Sequence, residues 1–245
     1  MAELLGYHVV FGANIDNSPP APGGHRVQYG TAILSRYPIT ASDNTWLYKS
    51  PGQAQRGLLH ATLDVHGKKV EFYNTHLAAS SQADRMQQTA QVVDLMGTTK
   101  PGILAGDFNA LPAAPESQPL QKAYTDTWAK SRHARGDGTT YPAQSPTERI
   151  DLTYAIRKVT PLLTQVLKDD PTASDHRPLL SKVLVTPSGP LAEEPSGARR
   201  DHRAPDDGGV GHPTGLGDRG TVRAARAGCG VRAACPPSAP PRPSG

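Results

Sequence analysis

Four short segments carry the residues that could do chemistry: Asn74-Thr75-His76-Leu77, Gly106-Asp107-Phe108-Asn109, Arg149-Ile150-Asp151-Leu152 and Ser174-Asp175-His176. Each sets Asp, Asn or His at one end of an apolar, strand-like run. Together they supply two His, three Asp and two Asn. That set suits attack on a phosphate ester by a metal-held water. Such a reaction needs charge neutralised on the phosphoryl oxygens, a deprotonated water aimed in line, and a stabilised leaving oxygen. A hard divalent cation serves the first and third needs and takes carboxylate, amide and water oxygens.

Asp107 and Asn109 stand two residues apart, so on an extended segment both point the same way. Asp107 can accept a proton from water, and Asn109 can hold that water or the phosphate without adding charge. Gly106 is expected to let the backbone turn, and Phe108 to enter the core. His76 can donate to a phosphoryl oxygen. Asp175 suits a metal. His176 suits a phosphate if a distant carboxylate fixes its tautomer and raises its pKa, and Asp151 is the candidate. Taken singly, each segment has a plainer reading as a turn, a cap or a half-buried His.

These segments need strands to position them. The pattern predicts strands at 7–11 and 30–35, a loop over 12–28, a β-hairpin over 58–75, and strands at 101–105, 149–156, 162–166 and 179–185. Ser81 followed by Asp84 is a capping pattern. Met86, Ala90 and Val93 follow at helical spacing and Gly97 sits at a C-cap position, so 81–96 is predicted helical. Leu120–Thr127 reads as a short helix and 131–148 as a polar loop. Many strands, few helices and long loops at strand ends predict an α+β or layered α/β/α sandwich.

The 245 residues divide into a folded body, 1–186, and a tail, 187–245. The tail has 11 Gly and 10 Pro and no Phe, Trp, Tyr, Ile or Met, a composition expected to be disordered. The formal net charge is +4, of which the tail supplies +2 (eight Arg against six acids), so the body is nearly balanced and shows no nucleic-acid footprint. Both cysteines, Cys229 and Cys235, lie in the tail, which excludes a disulfide or Cys-metal framework in the body. No run of 18 apolar residues predicts a membrane span. A soluble monomer is expected, cytoplasmic or secreted.

The four motifs resemble the endonuclease/exonuclease/phosphatase (DNase I-like) superfamily, with Gly30-Thr31-Ala32-Ile33-Leu34-Ser35-Arg36, Gln55-Arg56-Gly57, Arg85 and Gln88 adding to the likeness. The resemblance spans about residues 5–186. It implies a four-layer α/β/β/α sandwich and metal-dependent hydrolysis of a phosphodiester or phosphomonoester. By motif, His76 resembles the phosphate-contacting His, Asp107 the water activator and Asn109 its partner. Asp175 resembles a metal-linked carboxylate, as Asp107 can also be, His176 the essential His, and Asp151 its orienter. Asn74, Arg56 and Asn109 are expected to touch substrate, either nucleic acid or a small phosphorylated molecule. The implied cofactor is Mg²⁺, with Mn²⁺ as a substitute. Family members open with two strands, the second ending in a metal-binding Glu. Leu4-Leu5-Gly6-Tyr7-His8 resembles the segment just after that Glu, so those strands and that ligand are expected to be missing. An inactive fragment is therefore the alternative reading. The loop 131–148, with Arg132, His133, Arg135 and Tyr141, is the expected source of substrate contacts.

Overall fold

The structure, a computed structural model, describes residues 2–168, 170–186 and the pair 222–223. In chain order it runs α1 (Ala2–Leu5), β1 (His8–Asn17), β2 (Val27–Ser35), β3 (Ile39–Trp46), β4 (Gly57–Val65), β5 (Lys68–His76), α2 (Gln82–Met96) and β6 (Gly102–Asp107). A 3-10 turn, Pro115–Ser117, precedes α3 (Gln118–Ala123), β7 (Thr125–Asp126), α4 (Thr127–Lys130), β8 (His133–Arg135), β9 (Asp151–Ile156), β10 (Val159–Val166), β11 (Leu179–Val185) and β12 (Val222–Arg223).

β4 and β5 form the predicted hairpin, closed by His66 and Gly67, both at positive φ as a tight hairpin turn requires. Because side chains alternate along a strand, β4 sends Leu59, Ala61, Leu63 and Val65 to one face and His60, Thr62 and Asp64 to the other. A six-stranded sheet in the order β3-β4-β5-β6-β9-β7 is the centre of the molecule. On its inner face Leu59, Ala61, Val70, Phe72, Ile103 and Ala155 pack against Ile33 of β2, Val159 of β10 and Val183 of β11. Those partners belong to a two-stranded sheet, β1-β2, and a four-stranded sheet, β12-β11-β10-β8. On the outer face Leu58, Leu104, Leu152 and Tyr154 pack under Val92 of α2 and Leu120 of α3. The layers are thus helix, sheet and sheet, as the α+β sandwich reading requires.

Helix α2 is capped as predicted. The Ser81 side chain accepts from the Asp84 N–H, and the Gly97 N–H donates to the Val93 carbonyl at φ 59°. Its inward face differs from the expected one, since Met86 and Ala90 are exposed while Gln88, Thr89 and Val92 are buried. Gln88 can be interior because both ends of its amide are bonded, accepting from Ala78 N–H at 2.9 Å and donating to the Tyr48 carbonyl at 2.9 Å.

Other expectations are corrected. Residues 12–17 are strand rather than loop, because Gly12 lies where a Cβ would stand 2.5 Å from the Asn44 side chain, so its glycine marks close packing and not a turn. β3 was not foreseen: it is a polar edge strand, and its sequence lacks apolar alternation. The helix expected over 120–127 is α3, β7 and the start of α4. The loop 131–148 contains β8 and a bridge between Tyr141 and Glu148. The tail expected to be disordered lies outside the described residues, apart from β12. No helix among the described residues is long and apolar enough to cross a membrane.

Candidate functional site

The register of three strands sets the site. β5 and β6 run parallel with His76 opposite Asp107, and β6 and β9 run antiparallel with Asp107 opposite Asp151. All three residues share the face that carries Phe72, Ile103 and Ala155, so they form one row where the inner core ends. His176 reaches the row from the loop after β10. Its Nδ1 lies 2.7 Å from Asp151 Oδ2 and its Nε2 lies 3.8 Å from Asp107 Oδ2. A carboxylate acceptor makes Nδ1 the donor and turns Nε2 toward Asp107.

Gly106 does not turn the chain, as the sequence suggested. It continues β6, and a Cβ there would sit 2.1 Å from the Thr75 carbonyl oxygen, so glycine allows close approach of β5 and β6. Asn109 is also not on an extended segment: its φ is 47°, a left-handed conformation that Asn tolerates. The turn holds because Asp107 Oδ1 accepts from the Asn109 N–H at 2.8 Å and Asn109 Nδ2 donates to the Leu77 carbonyl at 3.1 Å. Phe108 between them is buried, edge-on to Tyr154.

His76 faces Asp107, with Nε2 3.4 Å from Oδ2. Its other nitrogen, Nδ1, is 2.9 Å from the Tyr29 hydroxyl. The carboxylate selects a proton on Nε2, so Nδ1 accepts and Tyr29 donates. Tyr29 was missed by sequence reasoning. It lies inside a strand with no spacing signal, and only the packing of β2 against β5 brings it here.

Burial sets the charge states. It pushes the His76 pKa down to about 3, helped by the positive Arg56 and His176. It pushes the Asp107 carboxyl up to about 6, reinforced by the facing Asp151 and opposed by the Asn109 N–H, His176 and Arg56. For His176 burial acts downward but is outweighed by the hydrogen bond and charge of Asp151 and by the charges of Asp107 and Asp175, so its pKa is raised. The two histidines therefore differ: His76 is a neutral donor, and His176 holds its second proton more readily than a free histidine.

Of the predicted residues, His76, Asp107, Asn109, Asp151 and His176 converge. Arg56 is 93% buried (7% exposed), its charge reaches both His76 and Asp107, and its Nε has no hydrogen-bond partner. Asn74 is engaged elsewhere, its amide donating to the Ala32 carbonyl of β2 at 2.9 Å, so it ties the two sheets together. Asp175 is exposed beside the site. The group whose ligand atoms lie within 4.8 Å of one another is Asp107, Asp151 and His176, without Asp175. Two carboxylates facing each other on adjacent strands repel, and one is already reluctant to ionise. That donor set fits a hard divalent cation.

Open clefts flank the row. One, of about 450 Å³, is lined by Asn109, Leu111, Ala113, Arg85, Glu116 and Glu148. The other, of about 550 Å³, lies between residues 141–145 and 171–175. Its walls are cross-bonded, Ala143 N–H to the Asp175 carbonyl at 2.7 Å and Arg177 N–H to the Thr140 carbonyl at 2.8 Å.

A model of the family described as Endonuclease/Exonuclease/phosphatase matches residues 2–176. Uncharacterized protein YbhP of Escherichia coli K12 is 26% identical over 212 residues, covering 75% of this chain and 81% of that protein. An endonuclease/exonuclease/phosphatase family protein from Bacteroides thetaiotaomicron superposes with a TM-score of 0.61 at 19% identity, over 75% of this chain and 77% of that one. A mannosyl-6-phosphatase from Bacteroides thetaiotaomicron VPI-5482 gives 0.58 at 19% identity, over 71% of this chain and 75% of that one.

Proposed function

We propose, from the premise that this chain belongs to the endonuclease/exonuclease/phosphatase family, that it is a divalent-cation-dependent phosphoesterase. The observation that carries the reading is the His76–Asp107–Asp151 row with His176 bonded to Asp151. In this reading the row serves as a base, two donors and a set of oxygen ligands for one phosphoryl group.

Asp107 and Asp151 would hold the cation, Mg²⁺ or Mn²⁺, which when bound supplies charge neutralisation at the phosphoryl and leaving oxygens. Asp107 takes a proton from the attacking water. Asn109 presents its amide oxygen to that water while its Nδ2 stays on the Leu77 carbonyl. His76 and His176 donate from Nε2 to phosphoryl oxygens, and the buried Arg56 guanidinium pairs with the phosphoryl charge. The water oxygen bonds to phosphorus, the bond from phosphorus to the leaving oxygen breaks, and the proton taken from water ends on the leaving oxygen. Donors placed in advance in a buried site need no reorganisation during the reaction.

The test is hydrolysis of p-nitrophenyl phosphate and bis-p-nitrophenyl phosphate by the full chain, with Mg²⁺ or with EDTA. Turnover should need the cation and fall by about 10²–10⁴-fold in Asp107→Asn. Folded protein with no turnover, or turnover indifferent to the substitution, would overturn the reading.

A further inference from the structure

Resting on the phosphoesterase reading above, we infer that the substrate is a small monoester joining one phosphoryl group to an uncharged, hydroxyl-rich alcohol, a sugar or polyol. Its carbon skeleton lies in the cleft between residues 141–145 and 171–175, beside His176.

The cations around the site carry the first half of the argument. A nucleic-acid strand or a polyphosphate needs free positive charge for each phosphate beyond the one attacked. The cleft beside Asn109 contains one cation, Arg85, which is already held by Glu116 at 2.8 Å and by the Ala78 and Ala79 carbonyls. Among the described residues the cleft beside His176 is lined by no Lys, Arg or His, and it includes the carboxylate Asp175. Arg177, on its border, donates to the Ala143 and Gln144 carbonyls, and Arg149 is paired with Asp126. Arg56 is the buried guanidinium whose Nε has no partner. Among the described residues the two clefts thus offer no unpaired cation for a second phosphoryl group, and Asp175 disfavours one, since like charges brought together count against a ligand.

The second cleft supplies the other half. Ser145 brings a hydroxyl, Gln144 an amide and Asp175 a carboxylate able to bond alcohol hydroxyls, while the hydroxyls of Thr172 and Ser174, which already donate to Asp170 and Asp175, can still accept. Tyr141, Pro142 and Pro171 give apolar surface for a carbon skeleton. The Tyr141 ring lies 4.8 Å from the His176 ring, so an alcohol seated here has its ester oxygen next to the reacting groups. The cross-bonds between the walls fix the cleft before binding, which spares ordering entropy. In the reaction, water and the monoester give the free alcohol and inorganic phosphate.

The full chain with Mg²⁺ is assayed on a hexose 6-phosphate, a hexose 1,6-bisphosphate, a single-stranded oligonucleotide and acetyl phosphate, whose leaving group is too small to fill the cleft. The expected kcat/KM for the hexose monophosphate exceeds that for the bisphosphate and the oligonucleotide by about tenfold or more, the factor that one unfavourable charge contact gives. Ser145→Trp, which fills the cleft, should lower hexose monophosphate turnover at least about tenfold more than acetyl phosphate turnover. Ser145→Lys, which adds the missing cation, should shift preference toward the bisphosphate. Preference for the oligonucleotide or bisphosphate in the unaltered chain overturns the inference. So does acetyl phosphate turnover without hexose phosphate turnover, or substrate ratios that neither variant moves. No turnover of any of the four overturns the phosphoesterase reading itself, and this inference with it.

Discussion

Replacing Asp151 by Asn tests the electrostatic core of the site, because Asp151 acts on two neighbours in different ways. It accepts from His176 Nδ1 at 2.7 Å and stabilises the imidazolium. It also faces Asp107 across β6 and β9, where burial pushes that carboxyl up to about 6 and the Asp151 charge adds to the rise. Asn keeps the shape and can still accept a hydrogen bond, but it removes the charge. The bond to His176 then drops from charge-assisted, about 1.5–3 kcal/mol, to neutral, about 0.5–1.5 kcal/mol. Both pKa values should fall: His176 because burial then meets less opposition, and Asp107 because its facing charge is gone. Asp107 becomes a weaker base, the imidazolium is less populated and the proposed cation site loses one carboxylate, so kcat/KM should fall by at least about 10–100-fold, with each 1.4 kcal/mol counting tenfold. Stability should barely move, since relief of carboxylate repulsion offsets the weakened bond, leaving Tm within about 4 °C for a domain of this size. The assay is NMR titration of the His176 ring beside a melting curve and hydrolysis rates. A His176 midpoint that stays or rises in Asp151→Asn would refute the reasoning.

Tyr29→Phe removes the donor to His76 Nδ1 and should cost about 0.5–1.5 kcal/mol of transition-state binding, roughly a 2- to 13-fold loss in kcat/KM. Nitrogen NMR of His76 should then show mixed tautomers, and a spectrum still purely Nε2–H counts against the assignment. Millimolar inorganic phosphate should raise the Tm of the unaltered chain but not of Arg56→Met, because binding to the folded state alone stabilises it by mass action. An equal shift in both would remove Arg56 from phosphate binding. Glu116 is buried and bonded to the half-buried Arg85 and the exposed Gln82. Burial raises its pKa, but bonds from Gln82 and Arg85 outweigh this and hold it below the ordinary 4.5. Its stabilisation is complete above that value and is lost as pH falls through the depressed folded value. Urea unfolding should show Glu116→Gln weaker by about 3–5 kcal/mol at neutral pH, with the gap closing in acid. A gap independent of pH would refute the ion-pair account.

The row proposed as catalytic was legible because His76, Asp107 and Asp151 each mark a strand end, and strand ends are where such sheets offer side chains. What joins them is register, and no single strand's sequence carries its register with another. Tyr29 and the engagement of Asn74 were therefore invisible, since both depend on how β2 lies against β5. The β1 extension through Gly12, Asn14 and Asp16 was misread because loop-forming residue types were placed there by tertiary packing: Gly12 yields to Asn44, and the buried Asn14 accepts from Asn44 Nδ2 at 3.1 Å. The polar β3 shows the same override at a sheet edge, where backbone pairing does not need apolar alternation. Gln88 misled the α2 helix face in turn, since a buried amide with both ends bonded behaves as core.

The left-handed backbone at Asn109 limits how this site can drift over evolutionary time. Few residue types accept a φ of 47° without strain, chiefly Gly, Asn and Asp. Asp would set another carboxylate beside Asp107 and Asp151, which already repel each other. Gly would keep the turn but lose the amide that donates to the Leu77 carbonyl and that the proposed reaction sets against the water. Two unrelated filters, one steric and one electrostatic, leave a single letter of the amino-acid alphabet, so in related chains that retain activity this position should hold Asn even where the surrounding loops have diverged.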